Sequence, residues 1–305
     1  MLISIEQLLG FWLVKYPGES AALGAASLWA LSSVVYGSLG REISPIYLNL
    51  LKGAIAITLL GLTLLVRGEL FPAMTTINLC LLLLSGAIGI GLGDTAFFAA
   101  LNCLGARRAL LMETLAPPIS AVLALIFLQE RLLASVWGGI LLTVVGVAWV
   151  VTERVPLSTN HPVNLRKGII WGIIAAICLA VGGILARAAL VNTSISPLWA
   201  ALLRISAGVV SLLPLLRIEK SYFVCKPTLR VVVGISLAAF MGTYLGIWLQ
   251  QTAIKFTEVG IALTLTNTAP LFILPISAFS GEKPSIRAIL GAAIALFGIA
   301  IIFYA

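Results

Sequence analysis

Ten apolar stretches, each about as long as a helix that crosses a bilayer, occupy most of this chain. They lie roughly at 21–39, 46–66, 78–101, 108–128, 134–151, 168–190, 197–216, 229–253, 258–279 and 286–304. About 20 apolar residues are needed to cross a hydrocarbon core of ~30 Å. In lipid the backbone must satisfy its own hydrogen bonds, so each stretch is expected to be helical. Composition points the same way: 61% of the 305 residues are hydrophobic and 10% are charged. Soluble domains carry roughly 25% charged residues. That shortfall excludes a soluble enzyme, a nucleic-acid binder and a disordered chain. The net charge of +8 sits in short gaps between apolar runs, which is a signature of membrane topology. The expected fold class is an all-α integral membrane protein with ten transmembrane helices.

Residues 1–18 precede the first span. Their apolar run (Ile3, Ile5, Leu8, Leu9, Phe11, Trp12) is too short to cross, and it lacks the basic start of a signal peptide. An amphipathic helix lying in the interface is expected there. Cys80, Cys103, Cys178 and Cys225 have neither paired nor metal-type spacing and read as small core hydrophobes.

The two halves of the chain match at an offset of about 152 residues. Ile43-Ser44-Pro45 recurs as Ile195-Ser196-Pro197, Lys52 aligns with Arg204, and Ala116-Pro117 recurs as Ala269-Pro270. Glu130-Arg131 returns as Glu282-Lys283, and Gly139 and Gly146 return as Gly291 and Gly298. The expected organisation is a first five-helix repeat over 19–151, a linker over 152–167 and a second repeat over 168–305. Five crossings per repeat set the second repeat upside down relative to the first. Inverted repeats that rock about a midplane site are characteristic of secondary transporters.

The same residues carry a family resemblance. Gly93-Asp94-Thr95-Ala96-Phe97-Phe98-Ala99-Ala100-Leu101 resembles the third helix of EamA-type proteins. Ala116-Pro117-Pro118, Leu128-Gln129-Glu130-Arg131-Leu132, Gly138-Gly139-Ile140 and Gly146-Val147 resemble their fourth and fifth helices. Thr268-Ala269-Pro270, Gly281-Glu282-Lys283 and Gly291 to Gly298 resemble the second unit. The chain after residue 20 thus resembles a ten-helix member of the drug/metabolite transporter superfamily. The resemblance implies a permease or exporter of small metabolites in the cell (inner) membrane. It implies no cofactor and no ATP site, and the sequence holds no P-loop pattern. The expected partners are a small-molecule substrate, the lipid bilayer and, for coupling, protons, with no nucleic acid; oligomeric state is not legible.

Ionisable residues inside spans cost roughly 2.5–3.5 kcal/mol each on insertion scales and are functional candidates by default. There are five: Lys52, Asp94, Glu113, Arg187 and Arg204. At 1.5 Å per residue, Lys52, Asp94 and Glu113 all lie roughly 9–13 Å from one face. They can therefore share a layer, with Arg187 and Arg204 at similar depth from the other face. As a binding layer, Lys52 would meet a carboxylate or phosphate, while Asp94 or Glu113 would meet an amine or carry a proton. As a structural layer, Lys52 would pair with Asp94 or Glu113, or snorkel along with Arg187. Three positive against two negative charges suits a zwitterion such as an amino acid better than a polyanion; the expected substrate is a small organic metabolite such as an amino acid or amine.

Pro117, Pro118, Pro270 and Pro275 interrupt spans 4 and 9, and paired interruptions point to a transporter's site as gate or kink. Tyr244, Trp248 and Gln251 share a face of span 8 by 3.6-residue periodicity, and Thr264, Asn267 and Thr268 share one of span 9. Either face could wall a pocket or glue helices together. Gly86, Gly89, Gly91 and Gly93 predict close packing by span 3.

Two rival classes remain. A non-transporting sensor or partner subunit would need an extramembrane domain to receive a signal, and none is visible. An intramembrane enzyme is disfavoured because the lone His161 lies in the linker and no HExxH or clustered Asp motif occurs. Orientation stays open. Twelve of the 19 basic residues lie in loops opposite the termini and four on the terminal side. The positive-inside count therefore puts both termini outside. The resemblance implies cytoplasmic termini. Both readings place the termini on one side.

Overall fold

The computed structural model describes residues 15–39, 45–69, 73–104, 106–152, 165–214, 229–279 and 285–304. Among them there is no strand, and ten helical units follow one another. They are α1 (Pro17–Leu39), α2 (Pro45–Arg67), α5 (Ala134–Val151), α6 (Leu165–Leu190), α7 (Pro197–Leu212), α10 (Ile286–Tyr304) and four composite helices. The expected interfacial helix before residue 15 and most of the linker lie outside the described residues.

The composite helices come in two matched pairs. α3 runs Thr76–Gly86, then a π-helical stretch Ala87–Gly93, then Asp94–Leu104. Its counterpart α8 runs Leu229–Ala238, a π-helical stretch Ala239–Leu245, then Gly246–Phe256. α4 (Ala106–Glu113, then Ala116–Leu123, then a π turn Ala124–Leu128) breaks at Thr114-Leu115, and α9 (Val259–Thr266, then Ala269–Phe279) breaks at Asn267-Thr268. Both breaks come just before the aligned prolines. Proline is tolerated in the first turn of a helix, where its missing donor costs nothing, and is poorly tolerated farther in. Pro275 departs from expectation: it lies inside Ala269–Phe279 without ending it. A full break there would leave backbone groups unsatisfied at membrane depth, so a proline-containing helix is retained.

The entry to α1 lies beside the end of α10: Tyr16 packs edge-on against Phe303, ring centroids 5.2 Å apart. Among the described residues seven helices are individually long and apolar enough to cross a membrane, with shorter apolar helices over Pro197–Leu212 and Val259–Ile273. Exposed Leu65, Val66, Ile77, Phe127, Leu290 and Phe297 give these helices apolar outer faces suited to lipid. Cys178 is buried as expected, but Cys80 is exposed on α3, a position in hydrocarbon where a thiol has no polar partner to lose.

Repeat meets repeat through small residues. α3 packs on α6 and α7, and α8 packs in the same manner on α1 and α2. A Cβ at Gly86 would run into the backbone of Arg204. α5 and α10 form a further seam: Gly139 lies against Gly298, and Gly146 against Gly291. Between them Thr143 donates its hydroxyl to its own helix at Gly139 O (2.8 Å). A Cβ at Gly146 would come within 2.7 Å of Gly291 O. Gly146→Leu is therefore expected to cost about 1–3 kcal/mol by overpacking. Gly138→Leu, whose Cβ meets nothing within 4 Å, should melt like the parent in detergent.

Candidate functional site

The π-helical stretches shape the centre of the molecule. A π turn carries one residue more than an α turn, which offsets the backbone hydrogen bonds and exposes carbonyls to other donors. Asn49 of α2 donates its side-chain amide to Ile90 O of the first stretch (3.3 Å). Trp29 of α1 donates its indole N–H to Gly242 O of the second (2.8 Å). Asp94 is the first residue after the stretch in α3.

The Asp94 carboxylate meets Lys52 of α2. Nζ to Oδ2 is 2.7 Å, with the lysine side chain 11% exposed and the aspartate 33%. The ammonium also lies 5.2 Å from the centre of the Phe98 ring, one turn farther along α3. Glu113, at the end of the first part of α4, feels both Asp94 and Lys52 electrostatically. Tyr36 of α1 lies in the same field and beside Thr243. Arg204 of α7 senses Asp94 from the other repeat. Four of the five intramembrane charges thus form one electrostatically coupled cluster, in which the contact seen among the described residues is the Lys52–Asp94 ion pair. The pairing of Lys52 with Asp94 matches the structural alternative foreseen for that lysine, while no carboxylate among the described residues pairs with Arg204.

Arg187 belongs elsewhere. Its Nε donates to Glu130 Oε1 at 2.6 Å, and its Nη1 donates to the carbonyls of Ile254 and Lys255, each at 2.8 Å. The other oxygen of Glu130 accepts the Val259 N–H at 3.2 Å. One ion pair therefore satisfies the last carbonyls of α8 and an N-terminal donor of α9, groups that helix ends leave without partners. Lys255 adds a bond to Ile195 O (2.6 Å). This knot lies toward the face that holds the termini and joins Glu130 of the first repeat to three helices of the second.

The remaining sequence candidates are distributed as follows. Tyr244 and Trp248 stay neighbours, 6.2 Å apart. They pack in the seam with α2 and α7 against Leu60, Leu198 and Ile247, where the Tyr244 hydroxyl is 2.8 Å from that of Thr63. Gln251 is fully buried, with neither side-chain amide atom hydrogen-bonded. Asn267 turns back on its own helix, donating to Leu263 O (2.9 Å) at the break in α9. Pro117 and Pro270 are buried just beyond their breaks. Tyr36 and Phe98 join the charge cluster unforeseen. An aromatic residue in an apolar run has no sequence mark that separates it from packing, although the lysine one helix away could have suggested a ring as partner.

A model of the EamA-like transporter family matches residues 16–152 and 166–304. No curated protein matches. A solved crystal structure of a protein superposes with a TM-score of 0.77, over 94% of this chain and 97% of its own, at 17% sequence identity. At that identity the likeness concerns the fold.

Proposed function

Because this chain belongs to the EamA-like transporter family and is a multi-pass membrane protein, we propose that it is a secondary transporter of a small organic metabolite in the cell membrane. The two repeats rock about the charge cluster, opening it to one side and then the other. The observation that carries this reading is the cluster itself. Lys52 pairs with Asp94, and Glu113 and Arg204 lie within their electrostatic reach, inside helices whose outer faces suit lipid. Charges at that depth are costly and mark substrate or ion pathways. The helix breaks beside Pro117 and Pro270 and the two π-helical stretches supply backbone that can adjust as the repeats move. Glu113 makes no ion pair among the described residues and is the group assigned to carry a coupling proton.

Counterflow in proteoliposomes tests this, with labelled amino acids and amines presented at two pH values. Saturable exchange is expected from the parent. Glu113→Gln should retain exchange at equal pH on both sides and lose at least tenfold of the uptake driven by a pH gradient. Equal gradient-driven uptake by parent and variant would remove the proton role. Absence of exchange by folded, inserted parent across the panel would count against transport of these solutes.

A further inference from the structure

The structure assigns to Arg204 the role of receptor for a carboxylate on the transported solute, an inference that rests on the transport reading and narrows its substrate class. Arg204 retains 2% of its surface. Its Nε and Nη1 are buried with no hydrogen-bond partner. Among the described residues no carboxylate forms an ion pair with it. A guanidinium removed from water without a partner is among the costliest groups a fold can hold.

The direction of the side chain is fixed by α3. The backbone of Arg204 lies against Gly86, while Nη2 lies 3.2 Å from where a Cβ would stand on Gly89. Gly89 is three residues farther along α3 toward Asp94, so the guanidinium extends from the helix contact toward the charge cluster. The acid it senses there, Asp94, already holds Lys52 at 2.7 Å.

Repeat symmetry explains the vacancy in charge. Lys52 and Arg204 occupy equivalent positions in the two halves. The first repeat supplies its cation with Asp94; the residue equivalent to Asp94 in the second repeat is Gly246. A Cβ there would strike the indole of Trp29, so that place is filled by an uncharged ring. The second cation therefore lacks the acid that its counterpart has, and a solute can provide it.

The chemistry narrows to a single negative charge. The planar fork of guanidinium donors matches a carboxylate or a phosphate. Lys52 is already neutralised by Asp94, so a dianion would meet the charge of Arg204 alone and leave its second charge without a partner. A monocarboxylate, with or without an amine, avoids that conflict. A solute that carries only an amine does not satisfy Arg204.

The test uses the full chain in detergent and compares melting of the parent with Arg204→Met and Arg204→Lys. The probes are acetate, benzoate, L-alanine and L-phenylalanine, each set against its neutral amide, with sulfate and phosphate as further anions. At least one carboxylate should raise the parent's Tm by a few degrees while its amide does not. Without any probe, Arg204→Met should melt at or above the parent, because the variant removes a buried charge that the fold leaves unpaired. It should also lose the carboxylate response, and Arg204→Lys should keep part of it. The assignment is overturned if unliganded Arg204→Met melts well below the parent, if amides act like acids, if sulfate or phosphate acts as strongly as the best carboxylate, or if no carboxylate shifts the parent. Counterflow on the same preparation separates the two readings. Exchange confined to neutral or cationic solutes overturns the carboxylate assignment and leaves transport standing. A carboxylate shift lost in Arg204→Met, without exchange of any solute, does the reverse.

Discussion

Asp94→Asn is expected to abolish exchange in proteoliposomes and to destabilise the protein by about 3 kcal/mol, because it leaves the Lys52 ammonium buried without a counter-charge. The estimate sits at the low end of the range for broken buried pairs, since the Asp94 side chain keeps 33% of its surface. The loss of transport and the loss of stability have separable causes. A double variant, Lys52→Met with Asp94→Leu, replaces the pair with apolar groups of similar size. Such replacements are often neutral or stabilising. The double variant should therefore recover most of the melting temperature while exchange stays absent. Exchange at parental rates in the double variant would mean that the pair only braces the bundle. A double variant as unstable as Asp94→Asn would mean that the charges hold the fold together by more than their own pairing.

The largest loss of stability is expected at the Arg187 knot. Arg187→Leu leaves Glu130 buried beside apolar helices and strips partners from Ile254 O and Lys255 O. About 3–5 kcal/mol should be lost, visible as a large drop in detergent Tm and as poor yield of inserted protein. Glu130→Gln should cost less, about 3 kcal/mol, because it removes the counter-charge of Arg187 and its amide oxygen can accept from only one of the two donors, Arg187 or the Val259 N–H, while the shape of the side chain is kept. A ranking in which Glu130→Gln is the worse of the two would mean that the cap on α9 matters more than the arginine.

Much of this architecture is legible in the sequence because lipid imposes a simple rule: long apolar runs become helices, and the run edges fall within a few residues of Pro45–Arg67, Ala134–Val151 and Ile286–Tyr304. Depth counting likewise allows Lys52, Asp94 and Glu113 to share one layer, and Lys52 and Asp94 form an ion pair. The π-helical stretches are not legible that way. Periodicity assumes 3.6 residues per turn, and the extra residue in Ala87–Gly93 or Ala239–Leu245 leaves no change in hydrophobic pattern. The face drawn through Tyr244, Trp248 and Gln251 crosses the end of such a stretch. Arg187 shows another limit. Its partner Glu130 belongs to a recognisable repeated motif, yet the contact joins helices far apart in sequence, and nothing local to Arg187 names an acid 57 positions away. The Arg204 guanidinium is illegible for the opposite reason: only the fold shows that, among the described residues, no carboxylate pairs with it.

The glycine seam between α5 and α10 obeys a rule usually met between separate subunits. Gly139 faces Gly298 and Gly146 faces Gly291; exchanging the repeats turns each contact into the other. That is an isologous interface, the same patch used twice about a two-fold axis. The chain therefore carries the equivalent of a dimer contact within a single polypeptide. A substitution at one of these glycines alters one half of a reciprocal pair. The matching substitution at its symmetry mate alters the other half, so a defect introduced at Gly139 has its mirror test at Gly291.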